Sequence, residues 1–299
     1  MRINRDMFLA AFFGWMLLFM GSAHGQVVSD SQAYTQTIKR WNIALHKFPH
    51  KSLSFVKQFK ENGGIDRYHV NKARDTIVFI PHNIRENEPI HMIYWFHGLN
   101  GFGQRTFSER LLPQFKFLVE QDANFIAVIP EMPWSQNTTT PRKRQGKIWT
   151  GSSHDNFSKF HVKFTQFIQG VLKTKKGIEN PNFRLVMAGH SAGGSAIKSA
   201  ARAGSLNEVK PEIVVFSDAG YGSWTRVTWE NYVKDCKDCR FFVLARFGDK
   251  PHRNAERLFR TVHNENQKIK FFVLDRFSYS HGRIGDNALL LAPIFESSE

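Results

Sequence analysis

Gly189-His190-Ser191-Ala192-Gly193 follows directly on the apolar run Phe183-Arg184-Leu185-Val186-Met187-Ala188. The residues after it, Gly194, Ala196, Ile197 and Ala200, recur at helical spacing and are mostly small. This is G-x-S-x-G between a strand candidate and a helix candidate. So abrupt a reversal brings loop, strand and helix backbones close together, and small flanking residues permit that approach. It also pushes the middle serine into a strained, exposed position where its hydroxyl can act as a nucleophile.

Strand and helix patterns alternate along the rest of the chain. Ile65–Val70, Thr76–Ile80, His91–Phe96, Phe125–Ile129, Ile213–Phe216, Phe241–Ala245 and Phe271–Leu274 read as strands. Helical stretches are expected at Ser108–Glu120, interrupted by Pro113, and from Phe157 through Leu172. Two more are expected, from Ser191 to Ala203 and over Asn254–Val262. Such alternation argues for an α/β fold with a mostly parallel central sheet and helices on both faces. Residues 26–64 read as a helical or mixed extension, and 65–299 as one domain.

The first 25 residues stand apart. Arg2 and Arg5 precede the apolar run Met7–Met20, and small residues lead to a break after Gly25. That pattern predicts a secretory signal peptide, with an uncleaved anchor as the alternative. The expected location is secreted or periplasmic, with no transmembrane span once the signal is removed. The net charge is +15, and losing Arg2, Arg5 and Asp6 brings it to +14. A charge of this size attracts anionic envelope surfaces. Nucleic acid is not expected as a partner, because no helix-turn-helix, zinc finger or RNP pattern occurs.

Chain order adds a second constraint. A serine nucleophile needs a base, and the base needs a carboxylate to hold it. Asp218 and Asp249 follow Ser191, each just after a strand candidate, and His281 follows the last strand. Catalytic groups of open parallel sheets gather at such strand ends. A Gly-containing loop, His97-Gly98-Leu99-Asn100-Gly101, follows the strand His91–Phe96.

With these motifs the chain resembles the α/β-hydrolase superfamily from about Ile65 to Ile294. It more loosely resembles secreted polyester depolymerases and feruloyl esterases. The resemblance implies hydrolysis of a small-molecule or polymeric carboxylic ester through an acyl-enzyme, with no cofactor. A serine peptidase or amidase, or an inactive binding protein on the same fold, are the alternatives. The resemblance makes Ser191 the nucleophile and His281 the base. It favours Asp249 as the acid, with Asp218 as the alternative. Leu99 and Ala192 would donate the oxyanion-hole N–H groups, with Gly98 or Asn100 as alternatives to Leu99.

The segment 131–153 lies where such hydrolases insert a lid. Trp134, Arg142, Arg144 and Trp149 in it are expected to touch substrate by attracting anions and stacking on rings. Cys236 and Cys239 are expected to form a disulfide if the protein is exported. No His, Asp and Glu set has metal-ligand spacing, so no metal is expected. His190 is read as packing on the sheet or lining the pocket, His161 as a surface residue and His252 as a loop residue.

Overall fold

The computed structural model describes residues 76–81, 83–99, 101, 106–134, 148–149, 156–262 and 268–295, and the backbone of a strand at 44–47. The signal segment 1–25, the strand expected at 65–70, Asn100, Arg142 and Arg144 lie outside the described residues.

Eight strands form one sheet. They are β1 (Ala44–Lys47), β2 (Thr76–Ile80), β3 (Ile90–Phe96), β4 (Phe125–Pro130), β5 (Phe183–His190), β6 (Ile213–Ser217), β7 (Arg240–Arg246) and β8 (Ile269–Leu274). Their order is β1-β2-β4-β3-β5-β6-β7-β8. β2 runs antiparallel to β1 and β4, and every later pairing is parallel. Parallel strands covered on both faces read as near-continuous apolar runs, as Ile-His-Met-Ile-Tyr-Trp-Phe of β3 does. The edge strand β8 keeps only Ile269 fully buried.

The helices are α1 (Leu112–Glu120), α2 (Phe157–Lys176), α3 (Gly194–Arg202), α4 (Ser205–Val209), α5 (Trp224–Thr228), α6 (Lys250–Val262) and α7 (His281–Leu291). Alternate residues of a strand face opposite sides, so β3 feeds two cores. Tyr94 and Phe96 join Phe157, Phe160 and Ile168 of α2 and Ile197 of α3. Ile93 and Trp95 join Phe107, Phe115 of α1, and Ile284 and Leu289 of α7. Among the described residues no helix is long and apolar enough to cross a membrane.

Local chemistry shifts several expected boundaries. Pro113 does not interrupt α1 but occupies its first turn, where a missing N–H removes no intrahelical bond. The turn before it, Thr106–Leu111, is π-helical. The stretch from Ser191 begins as a 3₁₀ turn, Ser191–Gly193, and becomes α-helical at Gly194. The helix α7 is not apparent from the sequence. Gly282 and Gly285 in its first turns lower helix propensity, and the Ser280 side chain caps it by accepting from the Arg283 N–H.

Candidate active site

β5 delivers Ser191 at its carboxyl end, and the turn there leaves no room for larger neighbours. A Cβ on Gly193 would lie 2.0 Å from the Phe96 carbonyl oxygen, and one on Gly189 would lie 2.7 Å from the Gly193 carbonyl carbon. Ser191 itself takes φ +52°. For a residue with a Cβ that left-handed conformation costs about 1–2 kcal/mol. The strain sits at the one residue whose hydroxyl the motif presents.

β3 delivers the His97 loop against this elbow. A Cβ on Gly98 would meet the Ser191 Cβ at 3.2 Å, so the loop backbone lies directly on the serine. His97 is buried and fixes the loop with both ring nitrogens. Its Nε2 accepts the Met132 N–H at 2.9 Å, which leaves the proton on Nδ1 for donation to the Gly98 carbonyl at 2.9 Å. Leu99 lines the pocket beside Ser191, and Ala192 is buried in the first turn after it.

Asp218 directly follows β6, is fully buried and takes φ +45°. Its Oδ2 lies 2.5 Å from Nδ1 of His281, the first residue of α7. An ionised carboxylate only accepts, so Nδ1–H donates and Nε2 keeps its lone pair. Oδ1 of Asp218 accepts the Arg246 backbone N–H at 3.4 Å.

Of the two acid candidates, the structure places Asp218 rather than Asp249 against His281. Asp249 follows Gly248, which has φ +82°, and this turn folds it back onto its own strand. Its carboxylate binds Arg246 Nε at 2.8 Å, and its carbonyl accepts the Arg253 N–H at the start of α6. The residue set against His281 is Asp218.

Two neighbours complete the surroundings. His190 is buried, donates from Nε2 to the His281 carbonyl at 2.9 Å, and lies 4.7 Å ring to ring from His281. A Cβ on Gly285 would strike the His190 ring at 2.7 Å, so that glycine lets α7 settle onto it. The Tyr221 ring stands edge-on to that of His281, 6.4 Å between centres. Burial, and next the Asp218 charge, raise the Tyr221 pKa, which keeps the phenol protonated.

Ser191 and His281 share a pocket of about 330 Å³ with Trp95, His97, Leu99 and Arg110. The volume suits a small ligand. Trp134 and Trp149 do not line it, contrary to expectation. Both are fully buried. Trp134 donates from Nε1 to the His97 carbonyl at 2.9 Å, and Trp149 packs edge-on against Phe96 and Phe157. They support the His97 loop from behind. His161 and His252 also depart from expectation. His161 is partly buried with Nδ1 3.1 Å from the Tyr94 hydroxyl, and His252 lies within α6. Cys236 and Cys239 form a disulfide just ahead of β7, at the end of the sheet opposite the pocket. Among the described residues no cluster of three or more His, Cys, Asp or Glu could hold a metal ion.

Burial, and next the His281 charge, push the His190 pKa down to about 3. His190 is thus neutral in the fold and titrates near 6.5 when unfolded. The unfolded chain binds the extra proton, so stability falls as pH drops from about 6.5 toward 3. His190→Gln should flatten this acid-side loss by up to about 1.4 kcal/mol per pH unit. Urea denaturation at pH 7 and pH 5 measures the difference.

No protein-family model matches the chain. No curated protein sequence matches it either. Among solved structures it is similar to a ferulic acid esterase, over 83% of this chain and 94% of that one, at 15% identity and a TM-score of 0.51. It is also similar to a fluorophosphonate-binding serine hydrolase of Staphylococcus aureus, over 72% and 89% of the two chains, at 12% identity and a TM-score of 0.49. A poly(3-hydroxybutyrate) depolymerase from Bordetella parapertussis aligns over 88% and 94%, at 9% identity and a TM-score of 0.48. Strand order, a mostly parallel sheet with helices on both faces, and the esterase alignment agree that the chain has the α/β-hydrolase fold.

Proposed function

We propose that the protein is an exported serine hydrolase that cleaves a carboxylic ester through an acyl-enzyme. The observation that carries this reading is the contact between buried Asp218 and His281, beside the pocket that Ser191 lines. Asp218 holds the Nδ1 proton, so Nε2 is the basic nitrogen. His281 takes the Ser191 proton as Oγ attacks the ester carbonyl. The tetrahedral oxyanion accepts the Leu99 and Ala192 N–H groups, each contributing about 3–4 kcal/mol to the transition state. His281 then protonates the leaving alcohol. Water repeats the sequence on the acyl-Ser191 ester and releases the acid. Export rests on the basic, apolar and small-residue order of residues 1–25.

Rapid mixing with a p-nitrophenyl ester tests the acyl-enzyme. The expected trace has a burst approaching one p-nitrophenol per chain before the steady rate. Turnover faster than background, with no burst and no trappable acyl adduct, would count against a covalent intermediate.

A further inference from the structure

The floor of the pocket holds polar groups that the proposed mechanism does not use. The π-helical turn Thr106–Leu111 places Thr106 and Arg110 on one face, and both line the pocket with Ser191 and His281. π-Helical turns occur often at functional sites. The Arg110 guanidinium lies beside Gly282, with Nη1 and Nη2 each 3.7 Å from where a Cβ on that glycine would sit. It is thus one residue from His281.

Trp95 stands beside the same pocket. It is 1% exposed, and its indole N–H has no hydrogen-bond partner among the described residues. A buried donor left unpaired costs about 1–3 kcal/mol.

Arg110 already has a counter-ion, Asp286 at 3.3 Å, and a long bond of 3.5 Å to the Gly282 carbonyl. Both contacts use Nη1. Burial raises the Asp286 pKa, and the Arg110 charge opposes that rise. The guanidinium has five donors in a fixed fork, so one carboxylate held through one nitrogen leaves capacity for a second anion.

We propose that this pocket selects esters that carry a carboxylate, with the donors of Arg110 that neither Asp286 nor Gly282 uses supplying the charge. The inference rests on the hydrolase reading above and names its substrate class. It differs from the general attraction of a basic surface. That field arises from a net charge of +15, and removing one positive charge barely alters it. A local subsite depends on Arg110 alone.

The test compares matched esters on wild type, Arg110→Gln and Arg110→Lys. Mono-p-nitrophenyl succinate against p-nitrophenyl butyrate places the charge on the acyl side. 4-Acetoxybenzoate against phenyl acetate places it on the alcohol side. In one of the two pairs, wild type should prefer the anionic ester in kcat/KM. Arg110→Gln should lower that preference at least tenfold, chiefly through KM, and Arg110→Lys should keep part of it. Three results would overturn the proposal: no preference in wild type, a preference that survives Arg110→Gln, or equal losses on both esters. Equal losses would make Arg110 only a brace for α7.

A binding arm separates this inference from the hydrolase reading. In a Ser191→Ala background, calorimetry with monomethyl succinate and methyl butyrate reads the subsite without turnover. Selective binding of the anion that disappears with Arg110→Gln supports the subsite even if no ester is hydrolysed. Equal or absent binding of the two, with no anionic preference in kcat/KM for either pair, overturns it even if hydrolysis proceeds.

Discussion

Asp218→Asn should lower kcat about 10⁴-fold, the size of effect seen when the acid of a Ser-His-Asp triad becomes an amide. The fold should survive. Asn is nearly isosteric and tolerates positive φ as Asp does, and Asp218 needs φ +45°. Its oxygen can still accept the Arg246 N–H. What changes is the partner of His281. An amide does not hold the proton on Nδ1 as a carboxylate does, and it does not stabilise the imidazolium formed during attack. Asp249→Asn is the matched control. It removes a partly exposed ion pair with Arg246, worth at most about 1 kcal/mol, and kcat should stay within about threefold. Steady-state kinetics on one ester, with circular dichroism to verify folding, checks both. A large loss in Asp249→Asn with none in Asp218→Asn would reverse the assignment.

Ser191→Ala should have the largest effect, a loss of about 10⁶ in kcat, comparable with removing a nucleophilic serine from a related constellation. Ala has the same Cβ and sits in the same left-handed turn, so no new clash arises against Gly98 or the His97 loop. The melting temperature should stay within a few degrees of wild type. The residual rate would report the oxyanion donors and substrate binding alone. Hydrolysis retained within tenfold would show that another group attacks the ester.

The parts of this site legible in the sequence are those coded locally. Ser191 stands out because small residues must flank a tight strand-to-helix turn, and the 2.0 Å approach of a Gly193 Cβ to Phe96 is the physical basis of that pattern. His281 and the pair of Asp candidates stand out because each follows an apolar strand. The choice between the acids is tertiary. It turns on Gly248 directing Asp249 back to Arg246, while Asp218 is buried under α7. The chain bends at Asp218, and its positive φ there sets the carboxylate toward His281.

Other features leave a weaker trace. Trp134 and Trp149 flank a basic stretch, and an aromatic residue there reads the same whether it stacks on substrate or supports a loop. Only the bond from Trp134 to the His97 carbonyl distinguishes the two. Arg110 carries no signal, because a lone arginine beside Glu109 on a helical stretch reads as a solvated face. Tyr221 carries no signal for a similar reason: nothing local places a phenol beside His281. His190 sits in a variable position of its motif, and its bond to the His281 carbonyl spans 91 residues.

The most direct test of the central claim is the site of covalent modification by a fluorophosphonate. Incubation of the purified protein, intact mass measurement and peptide mapping read it in one experiment. The account predicts one adduct per chain, on Ser191, formed in parallel with loss of ester hydrolysis and absent from Ser191→Ala. An adduct that persists in Ser191→Ala, or ester hydrolysis with no adduct at all, would contradict it.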